Sequence, residues 1–333
     1  MIPTRLHGTP QLPTGSARRR TALLLVGLFG ATVICLSLVA MWWRSDSPYS
    51  FREIAHLRYG SGKMQVGLLC LPEVARAGPE SFWADERGVY ICDTVNHRIQ
   101  HVSPEGRLDS EMLLDFPCGD LAVAANGEFF VLDRSRRLLH HFGRDGERAG
   151  VFHLPKEIIE NGIRLCFSGE TLVMVTAEHE EYELARYCGM WTCGLPADRG
   201  GPTKGVAGAK GNRFLAIRLD GERGEVLVFD DGGNLKQRVP ILARGLASIE
   251  FLGEDQQGNF YIQVERAIPP QSTTTLAVYC FDAQGAQIFI LDKLPNAYQV
   301  WTTKLLQIDV RGNIYQVLPA DDGVKVNAWI RQK

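Results

Sequence analysis

The chain carries no basic excess: 36 Lys and Arg stand against 38 Asp and Glu, a formal net charge of −2. Proteins that grip nucleic acid through its phosphates need such an excess, so no nucleic-acid partner is expected. Several signatures of chemistry are missing as well. There is no P-loop, no G-x-S-x-G elbow, no H-E-x-x-H and no C-x-x-C-H, which removes common routes to phosphoryl transfer, serine hydrolysis, zinc proteolysis and covalent haem. Helix-long runs are scarce too. Beyond residues 21–43, glycine turns cut each apolar run to under about ten residues, which argues against a helical solenoid. What the chain does have is 34 Gly and 45% hydrophobic residues, an ordinary globular balance with many tight turns.

The 333 residues suit one large repeat domain or two ordinary ones. Charge is unevenly spread. Residues 1–44 hold five basic residues (Arg5, Arg18, Arg19, Arg20, Arg44) and no acid, which leaves 31 basic and 38 acidic residues in 45–333, a net of −7. Thr21 to Trp43 is a run of 23 residues without a charge. As a helix rising about 1.5 Å per residue, it matches a hydrocarbon core of about 30 Å. Arg18–Arg20 put its leading end in the cytoplasm, and Trp42 and Trp43 fit an interfacial belt at the far end. A cleaved signal peptide has a shorter apolar core, roughly 7–15 residues, before a small-x-small site; here Leu38 occupies the −3 position to Ala40. Cys35 follows the bulky Ile34, a poor lipobox. The reading is therefore an uncleaved single-pass anchor: 1–20 a cytoplasmic tail, 21–43 the membrane helix, 44–50 a linker, and 51–333 an extracytoplasmic domain, periplasmic if the chain is bacterial.

That domain repeats itself. An apolar strand, a glycine turn and a second strand recur in FWADERGVYICD, LAVAANGEFFVLD, RLCFSGETLVMV, GAKGNRFLAI, EDQQGNFYIQV and LLQIDVRGNIYQV. The turn glycines Gly88, Gly127, Gly169, Gly211, Gly258 and Gly312 are spaced by 39, 42, 42, 47 and 54 residues. A second glycine turn (Gly106, Gly146, Gly189, Gly232, Gly285) follows in the first five units, flanked by two more strand-like stretches. Four hairpin-joined strands at this period predict an all-β, six-bladed β-propeller. Two separate β-sandwiches would not give repeats so nearly equal. The sixth unit ends before its fourth strand. The unassigned stretch Phe51–Tyr59 is expected to supply it, antiparallel to Val324–Ile330, since a ring left open exposes a strand edge.

The first unit carries Asp93-Thr94-Val95-Asn96-His97-Arg98-Ile99-Gln100, and the second a weaker Leu132-Asp133-Arg134-Ser135-Arg136-Arg137-Leu138. These runs resemble the NHL repeat, an Asp followed by Asn-His-Arg-Ile that leads into a strand. The resemblance implies a propeller, usually of six blades; it does not imply a reaction. Physically, Asp93 is suited to accept hydrogen bonds from the turn, Asn96 to tolerate a tight turn, and Arg98 to lie over a neighbouring blade and pair with its acids.

Relatives with this fold include metal-dependent lactonases, which use Glu, Asn and Asp, and zinc lyases, which use His. None of the eight His (His7, His56, His97, His101, His140, His141, His153, His179) heads an inner strand. His140 and His141, adjacent in a strand, point to opposite faces. No metal site, no catalytic set and no cofactor is assigned. Residues at the starts of the six inner strands are Glu80 or Ser81, Asp120, Arg164, Lys204, Glu250 and Lys304. They are expected to ring the channel mouth with mixed charge, the default place for a ligand. Outside the cytoplasm disulfides can form: Cys188 and Cys193 are candidates for a local clip, Cys70 and Cys118 for a second pair, and Cys92, Cys166 and Cys280 read as small buried hydrophobes. The function expected is a membrane-tethered binding or scaffold module for a protein or envelope component. A metal-dependent, lactonase-like hydrolase or lyase using the channel mouth is the alternative.

Overall fold

The computed structural model describes residues 47–193, 202–267 and 274–332. The expected membrane segment 21–43 lies outside the described residues, as do the tail before it and the first part of the linker. Among the described residues no helix is long and apolar enough to cross a membrane.

Each repeat folds as an antiparallel sheet, and the described residues form six. Blade one comprises Ser81–Asp85, Gly88–Asp93, Arg98–Val102 and Leu108–Leu113. Blade two comprises Asp120–Val123, Phe129–Asp133, Leu138–Phe142 and Arg148–His153. Blade three opens with Gly162–Ser168, blade four with Val206–Ala207, blade five with Leu246–Glu254 and blade six with Gln307–Ile308. One short helix, Lys156–Asn161, joins blades two and three.

The turns between the first two strands of a blade follow local chemistry. In blade six, Asp309 accepts hydrogen bonds from the backbone of Arg311 and Asn313 and from the Asn313 side chain. Asp255 and Asn259 repeat this arrangement in blade five. Such Asx turns need a left-handed residue to finish. Gly312 supplies it at φ +80°, and a Cβ there would stand 2.2 Å from the Tyr261 hydroxyl. In blade four the left-handed residue of the second turn is Gly233, one beyond the Gly232 named from the sequence.

Apolar side chains fill the spaces between blades. Phe82, Ile91, Val317 and Val326 meet between blades one and six; Phe214, Phe251, Phe260 and Phe281 fill the seam between four and five. The core is thus a ring of seams around a channel.

Blade six takes its outer strand from the front of the domain. Tyr49–Tyr59 pairs antiparallel with Gly323–Arg331, from Tyr49 opposite Arg331 to Leu57 opposite Val324, with a bulge between Glu53 and Ala55. Tyr49 and Tyr59 donate to the carbonyls of Gly312 and Ala320, both at 2.7 Å. Arg331 reaches across to Asp255 of blade five at 2.7 Å. A short strand, Gln65–Val66, pairs parallel with the end of the closing strand.

The Asp-Asn-Arg signature of blade one serves this junction. Asp93 accepts from Gly67 N, Asn96 Nδ2 and Arg98 Nε at 2.8–2.9 Å. Contrary to the expectation from sequence, Arg98 does not pair with a neighbouring blade's acids. Its acids, Asp93 and Glu111, belong to its own blade, and its remaining donors take the carbonyls of Ser61, Gly62 and Gln65. The segment behind the closing strand has carbonyls that need donors, and a planar guanidinium can satisfy several at once. The left-handed residue of this turn is the exposed His97 (φ 52°), matched by Arg137 and His179 at 57° and 58° in blades two and three.

The cysteines pair differently from expectation. Cys92 and Cys118 form a disulfide, their Cα atoms 5.7 Å apart, so Cys92 is not a free buried hydrophobe and Cys118 does not pair with Cys70. Both bonded residues lie in the apolar seam between blades one and two, which brings them within bonding reach. Cys70 and Cys188 are exposed free thiols, and Cys280 is buried and free. The side chain of Cys193 lies outside the described residues, and with it the expected clip to Cys188.

Candidate functional site

Residues alternate along a strand, so every second side chain of an inner strand faces the channel. In blade one these are Ser81, Trp83 and Asp85; in blade five a bulge between Phe251 and Gly253 breaks the alternation, so Glu254 shares the face of Phe251 and not that of Glu250. The strand starts and the strand ends therefore build two different layers.

The strand starts build a closed floor. Asp120 is fully buried. Its Oδ1 accepts from Lys304 Nζ at 2.8 Å, from Leu121 N at 2.7 Å and from the Ser81 hydroxyl at 2.5 Å, while Oδ2 accepts from Leu165 N at 2.5 Å. Lys304 donates also to the Leu121 carbonyl at 2.7 Å. One carboxylate thus ties together blades one, two, three and six. Burial pulls the Lys304 ammonium below its ordinary pKa, and Asp120 opposes that shift. Beside it Arg164 joins blade three to blade five, pairing with Glu250 Oε1 at 2.9 Å and donating to the Phe251 carbonyl at 2.8 Å.

Five of the seven residues picked from the strand starts therefore meet in this floor: Ser81, Asp120 and Lys304 in one network, Arg164 and Glu250 in another. They do not form an open ring of charges. In a narrow, low-dielectric channel, opposite charges gain more by pairing than by facing water. Glu80 flanks the floor, half-buried, and burial raises its carboxyl above the usual range with Arg134 opposing. Lys204 stands apart. It is exposed, in a short strand, Thr203–Lys204, that pairs with blade three.

The strand ends build a cavity. A space of about 580 Å³ opens among the turns that join first and second strands, with Lys304 and Arg164 at its base. Trp83, Cys166, Phe167, Trp191, Leu306 and Ile308 contribute its walls. Trp83 meets Phe167 edge-on at 5.7 Å, and Trp191 leans on Phe167 at 5.8 Å and on Tyr187 at 5.2 Å. Lys304 Nζ lies 5.4 Å from the centre of the Trp83 ring, a cation–π distance. Burial pushes the Cys166 thiol up to about 12, which keeps it neutral.

Carboxylates surround the mouth. Asp85 pairs with Arg87, and Glu86 with Arg311 at 2.6 Å. Glu254 is only 7% exposed; it accepts from Lys210 N at 2.8 Å, and burial raises its carboxyl above the usual range. The sequence reading fixed on strand starts and so missed Trp83, Phe167, Trp191 and Glu254. Period-two alternation from Ser81 to Trp83 is the signal that leads to one of them; the bulge between Phe251 and Gly253 hides Glu254 from the same count.

No three of His, Cys, Asp and Glu converge as a metal set among the described residues. His140 and His141 do face opposite ways: His140 stacks on Phe116 at 4.0 Å, and His141 stacks on Phe130 at 4.6 Å and contacts Glu128 at 3.1 Å.

No family model matches the chain, and no curated protein matches it. Solved structures do. A streptogramin B lyase matches at 12% identity over 85% of this chain and 97% of its own, with a TM-score of 0.45. A member of the DUF4221 family from Bacteroides vulgatus matches at 12% identity over 84% and 97%, with a TM-score of 0.47. A gluconolactonase from Xanthomonas campestris matches at 14% identity over 75% and 84%, with a TM-score of 0.42. At these identities the likeness is one of fold.

Proposed function

We propose that this chain is a membrane-tethered, extracytoplasmic propeller of the NHL type that works as a binding module, taking an apolar group of a protein or envelope component into the central cavity. The observation that carries this reading is the cavity itself: apolar and aromatic walls above a floor whose charges are already paired. Water gains little in such a space, and an apolar group gains by leaving water for it. A metal-dependent lactonase is the weaker reading, because it would need the carboxylates of Asp120 and Glu250, and these are engaged by Lys304 and Arg164. The Cys92–Cys118 disulfide supports the extracytoplasmic placement, since such bonds persist in oxidising compartments.

Two measurements test it. Nile red, a neutral apolar dye, is expected to bind the purified chain and to lose about tenfold in affinity in Cys166→Phe, which fills the cavity from its wall. Equal binding by the variant would place the dye elsewhere and sink the reading of the cavity. For the tether, a reporter active only outside the cytoplasm and fused after Lys333 is expected to be active, with the chain in the membrane fraction and its N-terminus intact. A soluble, shortened product would instead mark residues 21–43 as a cleaved signal.

A further inference from the structure

Deep in the seam between blades one and two lies a titratable ring with nothing to bond. His140 is 3% exposed, and both of its ring nitrogens are buried without a hydrogen-bond partner among the described residues. The strand Leu138–Phe142 carries it there, with Val131 and Val151 opposite it on the flanking strands. The ring lies on Phe116 at 4.0 Å, 14° from parallel, and 6.2 Å from Phe142. None of these side chains can accept a hydrogen bond.

The charged groups around the ring are already engaged. Arg148 lies over Phe116 and Phe142, 6.0 and 5.5 Å from the ring centres, and pairs with Asp115. Asp133, at the end of the neighbouring strand, has Arg136 at 3.6 Å. Burial holds the imidazole below its ordinary pKa; Arg148 and Arg136 push the same way, and Asp133 and Asp115 oppose. A neutral imidazole fits this seam as an aromatic plate. An imidazolium does not, because two N–H donors and a full charge would lie among apolar groups without an acceptor.

We propose that His140 makes the seam between blades one and two an acid-sensitive joint, which loosens when the ring takes up a proton. The Cys92–Cys118 bridge lies in the same seam and keeps the two blades joined while it loosens, so the change can reverse. The unfolded chain takes up this proton at about pH 6.5 and the folded chain only below that. The contribution to stability is therefore full above about pH 6.5 and is lost as the pH falls toward the folded value. The rival account is that His140 only packs.

Urea unfolding of the full chain at about pH 7.5 and about pH 5.5 reads the effect, beside His140→Phe and His140→Gln, neither of which titrates. The native folding constant is expected to fall about tenfold more across this interval than that of either variant. If His140 only packs, each variant shifts stability equally at both pH values, and the inference falls. His101 and His179 are also held below the ordinary value by burial. A native-like acid loss in both variants would assign the effect to them and overturn the inference. Should neither variant fold, amide exchange of the native chain decides. Corrected for its intrinsic rate, exchange in Leu138–Phe142 and Arg148–His153 should rise about tenfold on acidification, while Phe260–Ala267 keeps its protection. An equal change in both places, or no change in the first, would overturn the joint.

Discussion

A full-length chain in which residues 49–60 are replaced by an equally long Gly-Ser segment is expected to lose the cooperative unfolding of the whole ring. The replacement removes the pairing to Gly323–Arg331 and the hydroxyl contacts of Tyr49 and Tyr59. It also empties a seam, because Leu57 is wholly buried and Ala55 nearly so. Losing one buried leucine side chain costs about 2–5 kcal/mol, and here that loss comes with a strand's backbone pairing. The strand Gly323–Arg331 would also be left as an open edge. Limited proteolysis of 61–332 is the check: the native chain should resist and the replaced chain should be cut throughout. Equal resistance would show that the other five seams hold the ring without closure. Appending the sequence of 49–60 after Arg331 through a short turn should restore resistance, which separates the missing pairing from damage to the fold.

Asp120→Ala is expected to cost about 3–5 kcal/mol, the range for removing one partner of a buried ion pair. The loss is large because it leaves the Lys304 ammonium buried without its counter-charge and frees the backbone amides of Leu121 and Leu165. The double change Asp120→Ala with Lys304→Met should be less destabilised than the single one, since no charge is then stranded. It should not return to native stability, because the two amides still lack an acceptor. Urea unfolding of the three chains decides the matter. A cost under about 1 kcal/mol for the single change would mean that water reaches the floor and solvates Lys304.

Much of the architecture follows from counting. Glycine spacing places the blades, and a sixth unit one strand short leads to the pairing of Tyr49–Tyr59 with Gly323–Arg331. The site was harder to read, for two physical reasons. First, a residue at the start of an inner strand can be assigned to the channel from the repeat, but whether its charge faces water depends on neighbours from other blades. Asp120 and Lys304 are 184 positions apart in the chain, and nothing local announces their contact. Second, the aromatic wall draws on unlike places. Trp83 and Phe167 lie on inner strands, whereas Trp191 comes from the outer edge of blade three and turns inward. The disulfide was missed for a similar reason: Cys92 in a second strand and Cys118 before the next blade meet only once two blades are packed.

The strand that closes the ring is also the first of the domain to be synthesised. Ser50 contacts the Ile330 carbonyl, a partner 280 positions later. At synthesis rates of roughly 5–20 residues per second, that partner is absent for about 14–56 s. Through that interval the opening strand has no mate, and five blades can form while the sixth cannot. Ring formation is therefore the final event in the domain's history, tied to completion of the strand Gly323–Arg331. A chain halted short of Arg331, by a premature stop or by early proteolysis, would present both an unmatched N-terminal strand and an open blade, two edges that invite pairing with another copy. The same topology makes an incomplete molecule recognisable to quality control, because its defect lies at the surface and not in a hidden seam.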